Sequence, residues 1–137
     1  MYKEIEFPRH TLAVLDPGTF QMILPRGYGL PLLALLGSYR YLWENYIACS
    51  VVPDLPDLTF DFGQGQRVKL TSEDYVVKMR FEKYGFTLCT IAFDDAKFFP
   101  EIPSDTMILG SSFLRKYHSI WDWGNRTVGC KYIFVLY

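Results

Sequence analysis

Short runs of aromatic and aliphatic residues recur along this chain, among them LTFDF at 58–62, HSIWDW at 118–123 and YIFVLY at 132–137. Runs of this length, rich in aromatic and β-branched side chains and bounded by Gly, Pro and Asn corners, form strands rather than helices. They commit the chain to a mainly β fold with one or two short helices. Half of the 137 residues are apolar, which is enough to fill the core of one domain, so a single unit over residues 1–137 is expected.

Fourteen basic residues face fifteen acidic ones, a formal net charge of -1, and neither sign is blocked along the chain. That balance points away from nucleic acid and from an anionic membrane surface as partners. The longest apolar run, LPLLALL from Leu30 to Leu36, is interrupted by Pro31 and falls far short of the ~20 residues that span a bilayer. No membrane partner is expected. The opening MYKEIEFPRH alternates charged and apolar residues and lacks the apolar core of a signal peptide. Cys49, Cys89 and Cys130 are too far apart for zinc-type ligand spacing, and only two histidines accompany them; no metal and no other cofactor is expected. Three cysteines allow at most one internal disulfide.

Along the chain, Glu4–Phe7 reads as an edge strand stopped by Pro8, and HTLAVLD at 10–16 as a strand buried on both faces. Leu32, Leu33, Leu35, Leu36, Tyr39 and Leu42 recur at three- and four-residue spacings, which predicts a helix over Pro31–Trp43, weakened at Gly37. NYIACSV at 45–51 reads as a strand. LTFDF and QRVKL flank GQG as a hairpin, and DYVVKMRF pairs with FTLCTIAF, an antiparallel arrangement. A loop over 94–105 leads into TMILGSSFLRKY, read as a strand running into Gly110 and then a short helix. HSIWDW and RTVGCKYIFVLY close the chain as a hairpin about Gly124 and Asn125.

One acid stands out. Asp16 ends an aliphatic run and opens the corner Asp16-Pro17-Gly18-Thr19. Asp-Pro and Pro-Gly are turn formers, so a plain corner residue is one reading. The other is a carboxylate lifted onto a tight turn, with the Thr19 hydroxyl to support it, placed to act on a substrate. A lone carboxylate cannot divide general acid and base roles, so this second reading requires a partner acid. Competing motifs are weaker. LGSSF lacks nucleophile-elbow spacing, His10 and His118 are the only imidazole bases, GQGQ is a hairpin turn, and Trp121 and Trp123 share one strand face as packing residues. Asn125-Arg126-Thr127 is a formal glycosylation sequon in the same turn.

Three blocks in order carry a family resemblance. AVLDPGT resembles the active-site strand and turn of pepsin-like aspartic proteases. LPDLTFDF, with Tyr75 downstream, is similar to strands of their C-terminal lobe. ILGSSFLRKYHSIWDWGNRTVG is similar to their closing block at Ile108, Leu109, Gly110, Phe113, Arg115, Tyr117, Asp122, Asn125, Val128 and Gly129. The resemblance covers nearly the whole chain and the C-terminal lobe only. It implies a single pepsin-like lobe in which Asp16 is one of two catalytic carboxylates, Gly18 gives the tight turn, Thr19 supports the carboxylate, and Leu109 and Gly110 pack beside the loop. It also implies a Cys49–Cys89 disulfide, a peptide or protein substrate, a second lobe or second copy of the chain as partner, and a secreted or endolysosomal setting.

The departure is Pro17, which stands where the family has Thr and so lacks both a hydroxyl and a backbone N–H. Three functions follow as alternatives. The chain is one lobe of an aspartic endopeptidase; or two copies bring Asp16 together across a twofold axis, with Lys3–Phe7 and Tyr132–Tyr137 forming a shared sheet; or it is an inactive interaction module that keeps the fold. Pro17 favours the last. The apolar YIFVLY segment, read as an edge strand, is expected to be covered by another lobe or copy.

Overall fold

The computed structural model of the chain describes residues 6–8, 10–63 and 65–132. The expected strand at its Glu4 and Ile5 end, the YIFVLY run beyond Tyr132, and with them the shared terminal sheet, lie outside these residues.

Two four-stranded sheets organise the chain. In the first, β1 (Leu12–Leu15) lies at one edge beside β10 (Thr106–Leu109), followed by β2 (Met22–Leu24) and β9 (Phe93–Asp95). Here β1 runs parallel to β10, with Leu12 opposite Thr106 and Leu15 opposite Leu109, and β2 runs parallel to β9. Parallel neighbours need long connections, and the rest of the fold is those connections. The second sheet, in order, is β3 (Tyr39–Tyr41), β4 (Glu44–Ile47), β8 (Phe86–Ile91) and β7 (Val76–Phe81), antiparallel throughout. Two ribbons complete the β structure: β5 (Leu58–Asp61) with β6 (Arg67–Leu70), and β11 (Tyr117–Asp122) with β12 (Thr127–Tyr132). The hairpins expected from GQG, from the 76–91 pair and from the closing block are all present. Helix is confined to α1 (Gly29–Leu35), α2 (Ser72–Tyr75), α3 (Ser111–Leu114) and short 3-10 turns. No helix among the described residues is long and apolar enough to cross a membrane.

The core joins both sheets. Met22, Leu24, Phe93, Met107 and Leu109 from the first meet Ile47, Val76, Cys89 and Ile91 from the second, with Tyr75 and Phe113 from α2 and α3. Burying a side chain of this size contributes ~1.5–3 kcal/mol. A disulfide between Cys49 and Cys89 fixes the end of β4 to β8. A charged link adds to it: Arg40 Nη1 on β3 donates to both oxygens of the fully buried Asp94 at 2.7 Å, and its guanidinium lies 3.7 Å over the Phe98 ring. Neighbouring Asp95, also fully buried, accepts from the N–H groups of Gly27, Leu30 and Lys97.

Several expectations are corrected. The 10–16 run is not buried on both faces: Leu12 is 61% and Val14 43% exposed, because β1 is an edge strand with β10 as its one neighbour. The predicted helix over Pro31–Trp43 stops at Leu35. Gly37 takes φ +77° while its N–H and that of Ser38 donate to Ala34 and Leu33 carbonyls, a glycine C-terminal stop, and Tyr39–Tyr41 then enters a sheet. The 45–51 strand ends at Ile47, and Cys49–Asp54 winds into a 3-10 turn ahead of Leu55 and Pro56. The 94–105 loop begins inside a strand, since Asp94 and Asp95 belong to β9. Of the two packing roles open to Trp121 and Trp123, core or interface, the core is excluded, since they are 50% and 85% exposed.

Candidate active site

Strand β1 delivers Asp16 to the corner at its C-terminal end. The Asp16 N–H donates to the Leu109 carbonyl at 3.1 Å, which extends the β1–β10 pairing by one residue and fixes where the acid sits. From there the chain reverses tightly, and the Thr19 N–H donates to the Asp16 carbonyl at 3.2 Å. The carboxylate is held from within this turn. Gly18 N–H donates to Oδ1 at 2.9 Å and the Thr19 hydroxyl donates to Oδ2 at 2.7 Å. Donors on both oxygens orient the carboxylate. Asp16 is half-buried, while Pro17 and Gly18 are exposed.

Gly110 locks the corner from behind. A Cβ on this residue would lie 2.2 Å from the Gln21 carbonyl oxygen and 2.4 Å from that of Thr19. The close approach lets Ser111 N–H donate to Thr19 O at 2.7 Å and Ser112 N–H to Phe20 O at 3.0 Å. The acid-bearing turn and the β10–α3 junction are therefore a single hydrogen-bonded body. Residues distant in sequence, Asp16, Gly18, Thr19, Leu109 and Gly110, come together; Cys89 lies apart on the second sheet, joined to Cys49 in the 3-10 turn after β4. The amides of Ser111 and Ser112 belong to this body as well, although backbone donors leave no mark in residue identity that could have singled them out.

The remaining candidates lie elsewhere. His10 is exposed with φ +66°. A groove of about 360 Å³ on the closing ribbon is lined by Trp121, Asp122, Trp123, Arg126 and Val128, and one of about 220 Å³ by Glu73, Asp74, Ser112, Arg115 and Lys116. Neither includes Asp16. Among the described residues no cluster of His, Cys, Asp and Glu is suited to a metal ion.

The mainly β architecture, with an edge strand, an acid-bearing turn and a hydrophobic-Gly strand beside it, is that of a single pepsin-like lobe. A sequence model of the eukaryotic aspartyl protease family matches residues 3–132, and the chain belongs to that family. It is 36% identical to napsin-A of Mus musculus over 118 residues, covering 85% of this chain and 27% of napsin-A. It is 32% identical over 123 residues to renin of Canis lupus familiaris, covering 86% of this chain and 28% of renin. With gastricsin of Rattus norvegicus it shares 28% identity over 117 residues, again 85% of this chain and 28% of the relative. The chain thus spans little more than a quarter of the length of these relatives.

Proposed function

We propose that the chain is one lobe of an aspartic endopeptidase, in which Asp16 supplies one of two carboxylates that activate a water for attack on a peptide carbonyl. The observation that carries this reading is the carboxylate held by Gly18 N–H and Thr19 Oγ at the open end of an edge strand. Two acids sharing one proton divide the base and acid roles, so a second lobe or second copy must bring the other. The substrate is a peptide or protein. The Cys49–Cys89 disulfide supports an oxidising, secreted or endolysosomal setting.

Pro17 supports a second reading, an inactive interaction module. It is exposed at the corner and has no N–H or hydroxyl to offer an opposing loop. The test is a graft of residues 12–132 into mouse napsin-A in place of the segment they match, assayed for peptide cleavage at acid pH. Cleavage that falls by about 100-fold or more with Asp16→Asn supports the catalytic lobe. If the graft and its Asn variant are folded and equally inactive, the module reading replaces it, and Pro17→Thr then reports whether the corner residue alone is responsible.

A further inference from the structure

The sequence holds two asparagines, and they stand in opposite surroundings. Asn45 is followed by Tyr46 and Ile47, is 2% exposed, and donates from Nδ2 to the Phe93 carbonyl. Asn125 opens Asn125-Arg126-Thr127, the Asn-x-Thr acceptor pattern. It lies in the turn over 123–126 that joins β11 to β12, and every residue of that turn is exposed. A bulky hydrophilic graft requires such a place. The Asn125 N–H and Nδ2 donate to the two carboxylate oxygens of Asp122 at 3.1 and 2.8 Å, which ties the amide to the end of β11.

Beside it runs the groove of about 360 Å³ lined by Trp121, Asp122, Trp123, Arg126 and Val128. Trp121 and Val128 are cross-strand partners, and both are exposed along with Trp123. The volume falls at the small end of ligand sites, ~300–1,000 Å³. Flat indole faces suit the C–H face of a pyranose ring, while Asp122 and Arg126 offer an acceptor and donors for its hydroxyls. The tether selects a sugar as the occupant. Asn125 is hydrogen-bonded to Asp122 and adjoins Arg126, both of which line the groove, and a group tied at such short range has an effective concentration of ~mM or more, at which weak stacking suffices.

We propose that Asn125 carries an N-linked glycan whose first sugar seats in this groove. In the transfer, Nδ2 attacks the anomeric carbon of a lipid-linked oligosaccharide: the C–N bond forms as the bond to the pyrophosphate oxygen breaks, the lipid pyrophosphate leaves, and one amide proton passes to a base of the transferase. Nδ2 keeps its other hydrogen, so a donor remains for Asp122. The Cys49–Cys89 disulfide places the chain in the compartment where this chemistry runs, and the inference rests on the secretory setting proposed above. It is independent of Asp16, which does not line the groove.

The 137-residue chain, expressed behind a cleavable secretory leader in cultured animal cells, tests this. The expected product carries a single glycan that peptide N-glycosidase removes, leaving deamidation at Asn125 in the peptide mass spectrum. Asn125→Gln and Thr127→Ala should each abolish the glycan, and Thr127→Ser should retain it. A chain without the glycan, or a glycan that survives both Asn125→Gln and Thr127→Ala, overturns the proposal. Because the leader supplies the compartment, that failure counts against Asn125 and leaves the secretory reading and the cleavage assay untouched. For the groove, the glycan is trimmed to its first sugar and acrylamide quenching of tryptophan fluorescence is compared with that of Asn125→Gln. Lower quenching in the glycosylated chain is expected, and this difference should be lost when both carry Trp121→Phe and Trp123→Phe. Equal quenching overturns the seating of the sugar, as does protection of Asn125→Gln that rises with its own concentration, which assigns the groove to a second copy.

Discussion

Gly110 is the residue on which the acid-bearing corner depends. Its hydrogen atom occupies space bounded by the carbonyls of Thr19, Phe20 and Gln21, and the hydrogen bonds made by Ser111 and Ser112 exist because no side chain keeps the two segments apart. Gly110→Ala must push the backbones apart and break those bonds, and a loss of ~3 kcal/mol or more is expected, read as a fall in unfolding midpoint in urea. The same substitution at Gly124, where a Cβ would meet only the Asp122 carboxylate at 3.4 Å, should cost much less. At this scale the sequence was informative where chemistry is written in side chains: Asp16, Gly18 and Thr19 could be singled out from the corner alone. The approach of Gly110 to that corner came only through family resemblance, since ninety residues of chain separate them and no local pattern reports a close contact between backbones.

Between elements, α2 and the end of α3 are joined through Asp74. Its carboxylate accepts from the Thr71 N–H at 2.6 Å and the Thr71 hydroxyl at 2.9 Å, closing a capping box, and it pairs with Lys116. Partial burial pushes the carboxyl up, but the Lys116 and Thr71 hydrogen bonds outweigh it and hold the pKa below 3.8. A carboxylate whose folded pKa is depressed stabilises the fold above its unfolded value, ~3.9, and loses that contribution as pH falls through the lower folded value. Asp74→Asn should therefore lower the melting temperature near neutral pH, and the gap to wild type should narrow as the pH drops below about 4. Element boundaries were read less well than hairpins. The leucine spacing of 32–42 suits a longer helix, yet Gly37 stops it and Tyr39–Tyr41 pairs with β4, a tertiary choice that local periodicity cannot express. Likewise the aliphatic run at 12–15 reads as an interior strand because its composition is that of one; its edge position depends on which strands lie beside it.

At the scale of the molecule, a disulfide and the buried Arg40–Asp94 pair help hold the second sheet to its surroundings. The Cys49–Cys89 disulfide closes a loop of 40 residues, and in the chain-entropy account a loop of that size contributes about 4 kcal/mol by restricting the unfolded chain. Reduction, or Cys49→Ser with Cys89→Ser, should lower the unfolding free energy by up to that amount, measured by chemical denaturation with and without reductant. For a fold of this size that is a large part of the total. The fold class followed from the short aromatic runs because strand length and turn chemistry are local properties. The parallel pairings of the first sheet did not, since they join segments that nothing nearby in sequence connects.

That pairing has a consequence for biosynthesis. Leu15 meets Leu109 only after the whole segment between them has left the ribosome, so the acid-bearing corner is completed long after Asp16 itself has been synthesised. A polypeptide cut short before Thr106 would still contain the aromatic second sheet with its cystine, but it would lack the strand and glycine that seat Asp16.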